Sequence, residues 1–329
     1  MRAVRCNAYG DPRSLSVEEI DEPVAGPGQV VVEVGAASVN FPDVLLVADR
    51  YQVHVPVPFT PGSELAGTVV RVGDGVDRWK IGDRVSGATL VGAFAERAVV
   101  PAAALRPVPA TLDLGLAAAS GIAHRTAFFA VRSVGRIGAG EWLVVLGAAG
   151  GVGLAAVEIG AALGARVLAA ASSPEKLDLC REKGAVAVVD YSLEPLRDRL
   201  KEITGGGADV VVDPVGGPYS EQALRATRWG GRFVSVGFAS GEIPRIPLNL
   251  VLLKGVVVTG FTMEGLAANR ADDVARDEAD LTRMLESGRL VPHVSARYRL
   301  EEAGEALLDL SLRRAIGKVL IEPAVLQSR

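Results

Sequence analysis

The sequence predicts an α/β protein of two domains, one β-rich and built of short strands, the other a doubly wound parallel sheet. Three observations predict this. The 329 residues exceed what one hydrophobic core usually sustains. The first third carries short β-branched runs broken by Gly and Pro, and the middle alternates apolar runs with helical segments.

In order along the chain, Gln29-Val30-Val31-Val32-Glu33-Val34 follows the Pro27-Gly28 turn and reads as a strand. Leu65 to Val72 is a second, stopped by Gly73-Asp74-Gly75, and Val85 to Val100 holds two more, punctuated by Gly87 and Gly92. The character changes near Leu116. From there to about Phe261 come the apolar runs Trp142–Leu146, Arg166–Ala170, Val186–Val189, Val210–Val212, Phe233–Val236 and Val256–Thr259, with helices between. Such alternation implies a parallel sheet covered on both faces. Glu175–Lys183 predicts a helix ended by Gly184, and Asp272–Ser287 a polar helix. Lys318-Val319-Leu320-Ile321 reads as a strand returning to the first domain. The expected domains are therefore residues 1–122 with 264–329, and residues 123–263.

Composition narrows the function. A net charge of -4 and the lack of a basic run interleaved with aromatics argue against nucleic acid as a partner. Two distant cysteines, Cys6 and Cys180, supply neither a disulfide framework nor a four-cysteine metal lobe. The apolar stretch Trp142–Ser173 is interrupted by Glu158 and Arg166 and punctuated by glycines, so it predicts strand, helix and strand rather than a membrane span. The first residues are not followed by an apolar stretch, and the expected compartment is the cytoplasm, with no membrane partner.

The strongest local signal is Trp142-Leu143-Val144-Val145-Leu146-Gly147-Ala148-Ala149-Gly150-Gly151-Val152-Gly153. A buried strand enters a glycine turn and a small-residue helix follows, the context of a dinucleotide fingerprint. Gly150, Gly151, Val152 and Gly153 would let the backbone approach a pyrophosphate, at a helix start whose unpaired N–H groups and dipole favour anions. Ala148 departs from the G-x-G-x-x-G pattern at its first position.

The tip of the second strand selects the dinucleotide. NAD enzymes place an acid there for the ribose 2′-OH. Here Ala171 leads into Ser172-Ser173-Pro174-Glu175-Lys176, two hydroxyls and an ammonium suited to a 2′-phosphate, and NADPH is the expected cofactor. A charge-assisted contact contributes about 1.5–3 kcal/mol, roughly a ten- to hundredfold preference. The same residues also read as helix capping, with Pro174 at the first helical position and Glu175 completing a capping box, and Lys176 reads equally as a solvated helix residue.

With these motifs in place, the chain resembles the medium-chain dehydrogenase/reductase superfamily, specifically its quinone oxidoreductase (zeta-crystallin-like) branch. The likeness is carried over nearly the whole length by Val39-Asn40-Phe41-Pro42-Asp43, Pro61-Gly62-Ser63-Glu64-Leu65-Ala66-Gly67, Val76-Asp77-Arg78-Trp79-Lys80-Ile81-Gly82-Asp83-Arg84-Val85, the Ala148–Gly153 turn and Asp213-Pro214-Val215-Gly216-Gly217. It implies a GroES-like β-rich catalytic domain, a Rossmann domain with a cleft between the two, and a homodimer often built by pairing the last Rossmann strands.

Alcohol dehydrogenases of the superfamily carry zinc ligands, Cys near Asn40 or Phe41 and His where Ser63 stands. Neither is present, so no metal is expected and alcohol oxidation is disfavoured. Hydride addition to a quinone or enone needs less help, because conjugation spreads the developing charge.

The resemblance places Asn40 and Tyr51 beside the nicotinamide and acceptor as the catalytic pair. Asn40 would orient ligand by its amide, and Tyr51, a phenol of ordinary pKa about 10, would donate a hydrogen bond or proton. The plain alternatives are a turn residue before Pro42 and a rim aromatic. Leu45 stands where many relatives carry a second tyrosine.

By the same match, Thr126 lies near the nicotinamide and Tyr191 on the adenine side, or in ordinary packing. Val215 and Gly216 sit at a strand end. Gly237, Phe238, Ala239, Phe261 and Thr262 lie in loops reaching the ribose or ring, and Arg313 and Lys318 approach the cofactor. His124 reads as packing. The competing functions are a 2-enoyl thioester reductase, which would use the same tyrosine, and a non-catalytic NADPH-binding or structural protein.

Overall fold

The structure, a computed structural model, describes residues 1–323. The chain divides into two compact units, residues 1–122 with those from 292 onward, and residues 123–291.

The first unit begins with the antiparallel pair β1 (Arg2–Arg5) and β2 (Ser16–Glu19). A larger sheet forms around β3 (Gln29–Ser38), whose Val30, Val31, Val32 and Val34 are all buried. The helix α1 (Phe41–Val47) follows directly, started by Pro42 inside its first turn. The strands β4 (Glu64–Val72), β5 (Arg84–Ala88), β6 (Arg97–Pro101) and β7 (Leu105–Pro107) complete most of the sheet, and α2 (Leu114–Ser120) packs on β3 and β4.

The second unit alternates as the apolar runs predicted. After α3 (Ile122–Phe128) and a π-helical turn over Phe129–Val134 come β8 (Trp142–Leu146), α4 (Gly151–Ala162), β9 (Arg166–Ala171) and α5 (Pro174–Glu182). Next are β10 (Ala187–Asp190), α6 (Leu196–Thr204), β11 (Ala208–Asp213), α7 (Pro218–Arg225) and β12 (Thr227–Ser235). The unit closes with α8 (Leu248–Lys254), β13 (Val257–Gly260), α9 (Met263–Asn269) and α10 (Ala271–Glu286). All six strands are parallel, in the order β10-β9-β8-β11-β12-β13. The strands β8 and β11 are buried throughout, as Val- and Leu-rich parallel strands covered on both faces must be. Each fully buried Val or Leu contributes about 1.5–3 kcal/mol.

The chain then returns to the first unit with β14 (Val294–Tyr298), α11 (Ala303–Ser311) and β15 (Lys318–Ile321), the expected returning strand. The sheet order there is β14-β15-β3-β4-β5-β7, with β6 also paired to β3. Its core gathers Val30, Val32, Leu65, Phe94, Leu307 and Ile321.

The second boundary differs from expectation, falling at 291 rather than 263. The cause is α10. Its polar face is tied to the turn over Phe129–Val134 by Arg132 with Asp280 and by Ser133 with the buried Asp277, while Arg125 pairs with Glu278. Those charged contacts hold 271–286 in the second unit. Among the described residues, no single helix is long and apolar enough to cross a membrane, and Trp142–Ser173 is strand, helix and strand as predicted.

Candidate functional site

The first unit carries a buried polar cluster at the N-terminus of α1. Asn40, in extended conformation, ends the turn after β3 and caps the helix, and its backbone N–H donates to Asp43 Oδ2 at 2.7 Å. Its side-chain Nδ2 donates to Ser38 O at 3.1 Å and to Glu64 Oε2 at 2.9 Å, and its Oδ1 accepts from Lys318 Nζ at 2.6 Å. Glu64, the first residue of β4, also accepts from the Ile122 N–H. Asn40, Asp43, Ser63, Glu64 and Lys318 are all buried.

Buried charges at this depth survive only when paired. Lys318 Nζ lies 3.6 Å from Glu64 Oε2 and donates to Val39 O at 3.2 Å. Burial still pulls the lysine below its usual value, against the pull of Glu64 and Asp43. Burial pushes the Asp43 carboxyl up to about 7, opposed by Ser63, the Asn40 N–H and Lys318 and reinforced by Glu64. The proton so retained suits Asp43 Oδ1 and Ser63 Oγ, two buried oxygens with no other well-directed partner.

Tyr51 is half-buried against the core of this unit, past the far end of α1. The seven residues of α1 place about 10 Å of helix axis between its two ends. Asn40 and Tyr51 therefore stand at opposite ends of one helix. Lys318, also expected on the cofactor, lies inside the cluster, its ammonium engaged by this unit's own oxygens.

The second unit assembles its candidates along the carboxyl edge of the parallel sheet, where ligands bind in open α/β sheets. The strand order reverses between β8 and β11, and the glycine turn leaves β8 at that point. Gly147 has φ +55, and a Cβ on Gly153 would lie 2.2 Å from Gly147 O, so only glycine lets α4 start this close to the strand. Gly150 is exposed as the helix N-cap, and Gly151 and Val152 are half-exposed. The N–H groups of the first turn have no acceptor within the helix.

At the next strand tip Ser172 is exposed and Ser173 caps α5, its Oγ accepting the Lys176 N–H at 3.4 Å. Pro174 takes the first helical position as expected. Glu175 does not complete a capping box, because the third helical position belongs to Lys176. Tyr191 follows β10, its N–H donating to Ala171 O at 3.1 Å, so it stands beside the serines. Its ring lies 4.5 Å from that of Tyr219.

After β11, the buried Asp213 carboxylate accepts from the N–H groups of Val215 at 2.8 Å and Gly216 at 2.9 Å, and from the Ser220 hydroxyl. The loop after β12 packs on this turn, Ala239 N–H reaching Pro214 O at 3.1 Å and Ser240 N–H reaching Val215 O at 2.8 Å. Val215, Gly216, Gly237, Phe238 and Ala239 are thereby one local structure. Phe261 and Thr262 follow β13, with Thr262 capping α9. Thr126 is half-buried on α3 and no hydrogen bond links it to this cluster. His124 is buried with Nε2 3.5 Å from Glu158 Oε2.

Asp213, Asp43, Glu64 and Tyr219 were not singled out from sequence. A strand-end Asp before Gly-Gly is a signal that would have found Asp213. Among the described residues no group of three or more His, Cys, Asp or Glu side chains converges as a metal site. Asp43 and Glu64 face an ammonium instead, so the donors do not fit zinc.

Residues 26–110 match the family described as alcohol dehydrogenase GroES-like domain, and residues 151–277 the family described as zinc-binding dehydrogenase. The chain is 38% identical to quinone oxidoreductase-like protein 2 homolog of Nematostella vectensis, covering 97% of this chain and 88% of that protein. It is 33% identical to a quinone oxidoreductase of Pseudomonas aeruginosa over 98% of this chain and 99% of that protein. Among solved structures it is similar to the Escherichia coli quinone oxidoreductase complexed with NADPH, with TM-score 0.91, 29% identity, and coverage of 98% of this chain and 100% of that one.

Proposed function

Because the chain belongs to the quinone oxidoreductase branch of the medium-chain dehydrogenase/reductase superfamily, we propose that it passes a hydride from NADPH to a quinone or related conjugated carbonyl acceptor, without zinc. The observation that carries this reading is the carboxyl-edge cluster of the second unit, an open helix start beside a strand tip with no acid.

When bound, NADPH, the dinucleotide of the E. coli complex, supplies the hydride. The first-turn N–H groups of Gly151, Val152 and Gly153 suit its pyrophosphate. Ser172, Ser173 and Lys176 suit its 2′-phosphate through their hydroxyls and ammonium, and Tyr191 with Tyr219 borders the same tip. Thr126, Val215, Gly216, Gly237, Phe238, Ala239, Phe261 and Thr262 are proposed for its nicotinamide half. Tyr51 donates a hydrogen bond or proton to the acceptor oxygen. Asn40 orients ligand through what its amide has left to offer. No Lewis acid is required, because the acceptor's own conjugation takes up the charge and positioning with one donor suffices.

The proposed assembly is a homodimer. Its support is the edge strand β13, with Val257 and Val258 exposed, and the neighbouring α8, with Leu248, Leu252 and Leu253 exposed. A cytoplasmic setting suits the two free buried cysteines.

The test compares NADPH oxidation with para-benzoquinone and with crotonyl-CoA. Quinone turnover supports the proposal. Turnover of the thioester alone would move the protein to the enoyl thioester reductases, and NADPH binding with no oxidation across quinones and enones would leave a non-catalytic role.

A further inference from the structure

The side-chain amide of Asn40 has one permitted orientation, and a residue 278 positions away sets it. The strands β3 and β15 pair antiparallel with Ser38 opposite Leu320 and Ala37 opposite Ile321, and Val39 N–H reaches Val319 O at 2.9 Å. Continuing that register brings Lys318 opposite Asn40.

An ammonium donates hydrogen bonds and accepts none. The Asn40 atom 2.6 Å from Lys318 Nζ must therefore be the oxygen, and the amide nitrogen must face the two acceptors Ser38 O and Glu64 Oε2. A flip would set NH2 against the ammonium and the carbonyl oxygen against a carboxylate. Each reversed contact is repulsive, in a site where buried charges are poorly screened. Both Nδ2 hydrogens are consumed, so any further contact of this amide must be made through Oδ1.

We infer that Lys318 is a positioning residue, which together with Glu64 locks Asn40 as a hydrogen-bond acceptor toward the ligand. Asn40 then selects a donor, a hydroxyl or a primary amide such as a ribose or carboxamide of the dinucleotide offers. It cannot serve as a donor to a quinone oxygen, which leaves that role to Tyr51. The assignment rests on the proposed oxidoreductase function only in supposing that Asn40 meets a ligand.

Two measurements separate the inference from that function. The first needs no turnover. The Asn40 side-chain amide resonances are assigned by their loss in Asn40→Ala, and their hydrogen exchange is followed in Lys318→Met and Lys318→Arg. Exchange about tenfold faster in Lys318→Met, the scale of one lost charge-assisted bond, with recovery in Lys318→Arg, supports the lock. Unchanged resonances and exchange in Lys318→Met overturn it, whether or not the protein reduces quinones.

The second is kinetic, with NADPH and para-benzoquinone. Lys318→Met and Asn40→Ala should each lower kcat/KM about tenfold, and the double variant should be no worse than Asn40→Ala. Losses that multiply would mean Lys318 does not act through Asn40 and would overturn the inference. An analogue with acetyl in place of the carboxamide identifies the donor. Loss in the wild type but not in Asn40→Ala points to the carboxamide, and equal behaviour in both points to a ribose hydroxyl. Should neither substitution of Asn40 nor of Lys318 alter dinucleotide binding or turnover, the acceptor role is wrong. A wild type that binds NADPH but reduces no acceptor would sink the proposed function, and the exchange data would still decide the lock.

Discussion

Gly153 packs against the carbonyl of Gly147, where a Cβ would approach within 2.2 Å. The obstruction is backbone, so it cannot be relieved by a side-chain rotation. In Gly153→Ala the start of α4 must move off β8, and with it the N–H groups offered to the pyrophosphate. The variant is expected to lose NADPH binding and to melt several degrees lower. A fluorescence titration together with a thermal melt checks both. Wild-type affinity in Gly153→Ala would show that the turn does not hold the cofactor.

The acid-free tip of β9 should favour the phosphorylated dinucleotide. In Lys176→Ala the Kd for NADPH should rise about tenfold to a hundredfold while that for NADH stays put. Equal losses for the two dinucleotides would remove the lysine from the 2′-phosphate site.

The burial of Asp43 makes stability depend on pH. Its carboxyl titrates near 7 in the folded protein against 3.8 ordinarily. Below about pH 4 both folded and unfolded chains hold the proton, and the site costs nothing. As pH rises from there toward 7, the unfolded chain ionises first and the fold loses stability, on the order of 4 kcal/mol at most. Asp43→Asn removes that loss and keeps an acceptor for the Asn40 N–H. Its melting temperature should gain on the wild type progressively from pH 5 to about 8. A gap that stays constant over this range would show that Asp43 is ionised throughout.

Much of this architecture was legible because its signals are local. The apolar runs from Trp142 to Thr259 located every strand of the second unit, and Ser173-Pro174 marked the start of α5. Where the strand carries no apolar run, the reading fell short. The strand β12 begins at Thr227, and its exposed Arg228, Trp229 and Gly230 hide it. The allegiance of α10 was invisible for another reason, since ion pairs such as Arg132 with Asp280 leave no periodic trace. Asn40 was found by motif, but its tie to Lys318 spans nearly the whole chain, and only the pairing of β3 with β15 reveals it.

The exposed edge of β13 bears on assembly. Val258→Lys places a charge on that edge, where like charges would face each other across a two-fold axis. Light scattering should find the wild type dimeric and Val258→Lys shifted to monomer. A monomeric wild type would leave the apolar surface of β13 and α8 to some other purpose.

Hydride transfer to a conjugated acceptor without a metal ion is decided by quinone-dependent NADPH oxidation with chelator-dialysed protein. The dialysed protein should keep full turnover, and the purified protein should hold no stoichiometric zinc. Activity that vanishes on dialysis and returns on adding zinc would contradict it.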